Sequence, residues 1–172
     1  MTKCPYCDQT NIEGVDYCDQ CGQPLQDQHL PHPASHVERG LLRDRLTVLR
    51  PKPPVVVTPQ ATVAQVLRLM VERRIGCVYV VEQGKAIGVF TERDALLRLN
   101  TEAAACASRP IAEFMTPQPE TLAVDTKVAF AVQRMDLGGY RHVLIVDQEG
   151  HPQGVISVRD ILQYLTYRAA GR

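Results

Sequence analysis

The chain has 172 residues, is 45% apolar, and sets 19 lysines and arginines against 19 acids. Zero net charge gives no general pull toward nucleic acid or anionic membranes. No apolar run approaches the roughly 20 residues a membrane-spanning helix needs. With no basic patch leading into an apolar stretch at the start, no signal peptide is read, and a cytoplasmic location is expected. The zero hides an asymmetry. Residues 1–28 hold Lys3 against Asp8, Glu13, Asp16, Asp19 and Asp27, a formal −4 that leaves +4 for the remainder.

Residues 1–25 contain Cys4-Pro5-Tyr6-Cys7 and Cys18-Asp19-Gln20-Cys21-Gly22. Two Cys-x-x-Cys pairs at this separation suit one tetrahedral Zn²⁺ on Cys4, Cys7, Cys18 and Cys21. Two intervening residues let a tight turn aim both sulfurs at one metal. Disulfides and a redox dithiol are the competing readings, and a reducing compartment disfavours the first. With all four positions filled by protein, the metal is structural rather than catalytic. The segment resembles the short bacterial zinc ribbon, two such knuckles followed by Gly-x-Pro-Leu, here Gly22-Gln23-Pro24-Leu25. Asp8 departs from that pattern, which usually has Gly there. The ribbon is expected to contact a protein partner, and its acidity argues against nucleic-acid binding, which rests on Lys and Arg neutralising phosphates.

Residues 26–36 are polar and broken by Pro31 and Pro33, and read as a linker. His29, His32 and His36 there are expected to be solvated rather than a second metal site. Residues 36–46 suit a short helix weakened by Gly40. The chain then passes through Pro51, Pro53 and Pro54 into an extended Val55-Val56-Val57.

From there the sequence repeats. Gly88-Val89-Phe90-Thr91-Glu92-Arg93-Asp94 returns as Gly154-Val155-Ile156-Ser157-Val158-Arg159-Asp160. Upstream, Thr62–Met70 aligns with Lys127–Met135, and Val78–Glu82 with Val143–Asp147. In the first copy Val63, Val66, Leu67 and Met70 fall at helical spacing. Cys77–Val81 reads as a buried strand, Gln83-Gly84-Lys85 as a turn, Ala86–Phe90 as the return strand, and Thr91–Leu99 as a closing helix. The second copy gives a helix over 125–135, strands at 143–146 and 153–156 around Glu149-Gly150, and a helix over 157–165. Cys77 and Cys106 read as small buried apolar residues.

Thr91-x-x-Asp94 and Ser157-x-x-Asp160 are capping-box sequences. Capping leaves the recurring Arg93 and Arg159, and the recurring Gly88 and Gly154, unexplained. A nucleotide site uses all of them: free N–H groups and Arg for phosphate, Asp for ribose hydroxyls, Gly for close approach.

The doubled β-α-β-β-α order and the Gly-h-h-[Thr/Ser]-x-x-Asp signature resemble a pair of CBS motifs, the cystathionine β-synthase domain type. Ile111-Ala112-Glu113-Phe114-Met115-Thr116 is similar to the Met-Thr phrase common before that family's second motif. The resemblance implies an α+β fold of tandem motifs, residues 37–105 and 106–172. It also implies an adenosine nucleotide (AMP, ADP or ATP) in clefts between the motifs, and a homodimer. The implied ligand residues are Thr91, Arg93, Asp94, Arg141, His142, Ser157, Arg159 and Asp160. Arg141 and His142 align with Gly76 and Cys77, so the two sites should differ in charge. No catalytic constellation is read, so the expected role is a non-enzymatic regulatory sensor. The alternative is a ligand-free dimerising scaffold whose ribbon docks a partner.

Overall fold

The computed structural model describes residues 1–4, 6–12, 15–25 and 35–170. Most of the linker, with His29 and His32, lies outside the described residues.

Two short strands, β1 (Thr2–Lys3) and β2 (Thr10–Asn11), pair antiparallel within the cysteine-rich segment. Helix α1 spans His36–Arg43 and is capped by Ser35, whose hydroxyl accepts the Glu38 N–H at 3.0 Å. Next come β3 (Val56–Val57), α2 (Val63–Arg73), β4 (Cys77–Glu82) and β5 (Lys85–Thr91). Thr62 and Gln65 form a capping box on α2. The β4–β5 turn has positive φ at both Gln83 and Gly84, the pattern of a tight hairpin turn.

The helix expected over Thr91–Leu99 is not a regular one. Helix α3 (Glu92–Asp94) passes at once into wider π turns over Ala95–Leu99. These put Leu99 in the core while Arg98 donates to the Phe114 and Met115 carbonyls. Short strands β6 (Thr116–Pro117) and β7 (Thr121–Ala123) follow. Then come α4 (Val128–Gly138), β8 (His142–Val146), β9 (Pro152–Ser157) and α5 (Val158–Ala169). The α+β class with its doubled unit is therefore observed.

Two compact units divide the chain and cut across the repeats. One gathers Met1–Arg50, Val124–Arg141 and Ser157–Arg172; the other gathers Pro51–Ala123 and His142–Ile156. The second unit is built on two sheets, ordered β3-β4-β5-β6 and β7-β8-β9. Strand β4 is buried on both faces. Val78 and Val80 join Val63, Val66 and Met70 of α2 in one cluster, while Cys77 and Tyr79 meet Leu144 of the other sheet. A two-residue side-chain period thus splits one strand between a helix and a second sheet.

In the first unit, Leu46 N–H donates to the Thr126 carbonyl and Val128 N–H to the Asp44 carbonyl, which fastens the segment after α1 to the start of α4. Asp44 accepts from the Tyr164 hydroxyl at 2.7 Å and from Arg168, both on α5. Among the described residues no helix is long and apolar enough to cross a membrane.

Candidate functional site

The four N-terminal cysteines converge. Each knuckle is closed by backbone bonds, Cys4 N–H to Gln9 O at 2.8 Å and Cys18 N–H to Gln23 O at 2.7 Å. Sulfur separations are 3.6 Å for Cys4–Cys21 and 3.5 Å for Cys7–Cys18, and all four sulfurs lie within 4.8 Å of one another. A Zn–S bond of about 2.3 Å in a tetrahedron requires sulfurs about 3.8 Å apart, so the donor set fits. Burial opposes ionisation at Cys18, but the Cys21 and Gln20 N–H groups, with Cys7 and Asn11, bring its thiol down to about 6.

Sequence reasoning passed over Asn11. It is 2% exposed, and its amide donates to Cys18 Sγ at 3.6 Å while its carbonyl oxygen accepts the Asp19 N–H at 3.0 Å. Such a contact would orient the Cys18 sulfur toward a metal held by the four cysteines. The only signal was an amide placed between the two knuckles.

Both repeat signatures form capping boxes. Asp94 Oδ2 accepts the Thr91 N–H at 2.9 Å and the Thr91 hydroxyl at 2.6 Å. Its Oδ1 accepts the Thr116 hydroxyl at 3.0 Å and lies 3.4 Å from Arg98 Nε. Asp94 is 9% exposed, so its carboxylate is largely committed within the protein. Thr116 and Arg98 were not anticipated; the four-residue step from Asp94 to Arg98 was the available signal. Asp160 Oδ2 likewise accepts the Ser157 N–H at 2.7 Å and hydroxyl at 2.6 Å, and Asp160 is half-buried. Arg93 and Arg159 are exposed beside their aspartates.

The repeats share one further bond. Glu92 N–H donates to the Gly76 carbonyl at 3.1 Å, and Val158 N–H to the Arg141 carbonyl at 3.0 Å. Exposed Arg141 is thereby tied to the start of α5, where Ser157, Arg159 and Asp160 lie. His142 goes elsewhere. A methyl added at Gly76 would sit 3.0 Å from the His142 ring and 3.3 Å from Glu92 Oε2, so His142 is placed by the start of α3.

The signature glycines have a different cause from close ligand approach. A methyl at Gly88 would collide with the Met115 thioether, and one at Gly154 would lie 2.7 Å from Pro51 Cβ. Each return strand is crossed there by the segment that leads into the other repeat. β5 pairs with β6 at Gly88–Pro117, and Val155 of β9 bridges Lys52.

The chain matches the CBS domain family over residues 48–101 and 111–167, and it belongs to that family. The cysteine segment precedes the match. An uncharacterized 17.7 kDa protein of Acidianus ambivalens is 30% identical over 111 residues, 64% of this chain and 66% of that one. A CBS domain-containing protein of Arabidopsis thaliana is 33% identical over 102 residues, 59% of this chain but 19% of that one. The chain thus spans two thirds or less of these relatives. Among solved structures, a CBS domain protein from Pyrobaculum aerophilum complexed with AMP is 25% identical with a TM-score of 0.63, covering 74% of this chain and 99% of that one.

Proposed function

We propose that this chain is a cytoplasmic, non-catalytic regulatory sensor. Its paired motifs bind an adenosine nucleotide (AMP, ADP or ATP), and Cys4, Cys7, Cys18 and Cys21 hold one structural Zn²⁺. The observation that carries the ligand class is the AMP complex of the Pyrobaculum aerophilum protein, which shares this fold over most of the chain. Supporting it are two helix starts, each with a hydroxyl, an arginine and an aspartate (Thr91, Arg93, Asp94; Ser157, Arg159, Asp160). Helix N-termini suit phosphate, and Asp160 suits ribose hydroxyls. Arg141 stands with the second signature and His142 with the first, so the two sites are unequal in cationic character.

The motifs are proposed to pair as a homodimer. Leu96 and Leu97 after the first signature are 73% and 75% exposed, and Leu162 after the second is 58% exposed. Sedimentation showing only monomer at tens of micromolar would rule this out.

Calorimetry with AMP, ADP and ATP tests the sensor. One tight and one weak or silent site are expected. Arg141→Ala should weaken the tight site by about tenfold to a hundredfold, the range of one charge-assisted contact, and more for phosphorylated ligands than for adenosine. If no adenosine compound raises the melting temperature at millimolar concentration, the sensor fails, because a ligand of the folded state must stabilise it. The alternative, a ligand-free dimerising scaffold, is favoured at the first site by one observation: the Asp94 carboxylate is already occupied by Thr91, Thr116 and Arg98.

A further inference from the structure

Lys127, at the N-cap of α4, is a lysine whose side chain is only 7% exposed. A buried ammonium needs an anion or strong acceptors, because an uncompensated buried charge costs far more than a surface one. Its Nζ donates to the Arg43 carbonyl at 3.3 Å and to Asp8 Oδ2 at 3.3 Å. The carboxylate therefore comes from the cysteine-rich segment, 119 positions away in sequence. The same Asp8 oxygen accepts from Arg45 Nη2 at 2.7 Å, and Arg45 also donates to the Asp125 carbonyl.

Asp8 is itself unusual. It follows Cys7 directly and holds φ +61°, the left-handed region that glycine enters without cost. An aspartate here accepts some backbone strain, and its side chain returns a bond to two cations. A second contact lies alongside: the Tyr6 and Phe130 rings meet edge-on with centroids 5.9 Å apart, a favoured aromatic geometry. Tyr6 comes from the first knuckle and Phe130 from the first turn of α4.

We propose that residues 1–25 are a docked part of the first compact unit, latched by Asp8 onto Lys127 and Arg45, and not a free module on a tether. The proposal rests on reading the four cysteines as a zinc site. The segment is too small to hold a fold without a staple. Loss of the metal releases the first knuckle and withdraws Asp8. It uncovers two cations and the Phe130 ring on the unit that also carries Arg141, Ser157, Arg159 and Asp160. The metal state of the ribbon is thereby written onto the surface of the second signature's unit, while Thr91 and Asp94 lie in the other.

The test uses the full chain, with zinc quantified and amide hydrogen exchange followed at Leu46 and Val128, whose N–H groups bond across the latched segments. Asp8→Gly keeps the knuckle turn and removes the latch. It should retain one zinc per chain, yet exchange at these amides should quicken roughly tenfold or more, as local opening becomes easier. Asp8→Asn, which keeps the shape without the charge, should fall between. Chelating the native protein should reproduce the Asp8→Gly pattern, and chelating Asp8→Gly should add little at these two amides. Zinc-loaded Asp8→Gly with native exchange at Leu46 and Val128 would overturn the latch. Native protein free of zinc would instead sink the metal reading, and the Asp8→Gly comparison would still decide the docking.

Discussion

Asp94→Ala is expected to damage the fold before it reports on any ligand. The substitution removes the Asp94 half of the capping box on α3, the acceptor of the Thr91 N–H, worth about 1 kcal/mol, while the Thr91 hydroxyl still caps the backbone. It also strips the Thr116 hydroxyl of a charged acceptor inside the protein, worth about 1.5 kcal/mol. The Arg98 contact adds less than about 1 kcal/mol, because that side chain is 40% exposed and solvent screens it. The sum is about 3 kcal/mol, which for a domain of this size lowers the melting temperature by roughly 6–12 °C. Thermal unfolding followed by circular dichroism measures it. Thr116→Val alone should cost about half as much, and the double variant should fall short of the sum, since the two groups share one bond. A shift below about 2 °C for Asp94→Ala would refute the view that this carboxylate is committed to the fold. Ligand questions at this site are better put with Asp94→Asn, which keeps the shape and one acceptor.

Gly154→Ala should destabilise by about 2 kcal/mol, because the added methyl meets the Pro51 ring, which cannot turn aside. Gly88→Ala should cost less, since the obstructing Met115 thioether is flexible; equal effects in denaturant titrations would contradict this. Elemental analysis should find one zinc per chain, and Cys18→Ala should lose it. Asn11→Ala should keep the metal but release it to a chelator about tenfold or more faster, in line with the loss of other orienting contacts around metal ligands.

Much of the fold was legible because its signals are local. The unbroken apolar run Cys77–Val81 marks a buried strand, and the Val63, Val66 and Met70 spacing marks α2. The capping boxes at Thr91 and Ser157 could be read from hydroxyl and carboxylate three residues apart. What escaped is non-local. The recurrence of Gly88 and Gly154 suggested a ligand against the backbone, whereas the crowding atoms belong to Met115 and Pro51, and no local pattern announces a crossing segment. A regular helix was expected over Thr91–Leu99 to close the first repeat. It still gave way to π turns, where Leu99 enters the core and Arg98 reaches two carbonyls. Asp8 looked like a flaw in a knuckle, because its partners, Arg45 and Lys127, are distant in sequence.

The crossing at Gly154 bears on how the chain is made. Lys52 and Val155 exchange both backbone hydrogen bonds, at 3.1 and 2.8 Å, across about a hundred residues of intervening chain. A ribosome delivers Lys52 several seconds before its partner, at roughly 5–20 residues per second. During that interval Lys52 and the strands of the first repeat are made but β9 is not, and the pairing groups of Lys52 stay open to water or to other nascent chains. Contacts this distant slow folding. Folding across this contact therefore waits for Val155, and a ribosome stalled before that residue would hold Lys52 without its partner strand.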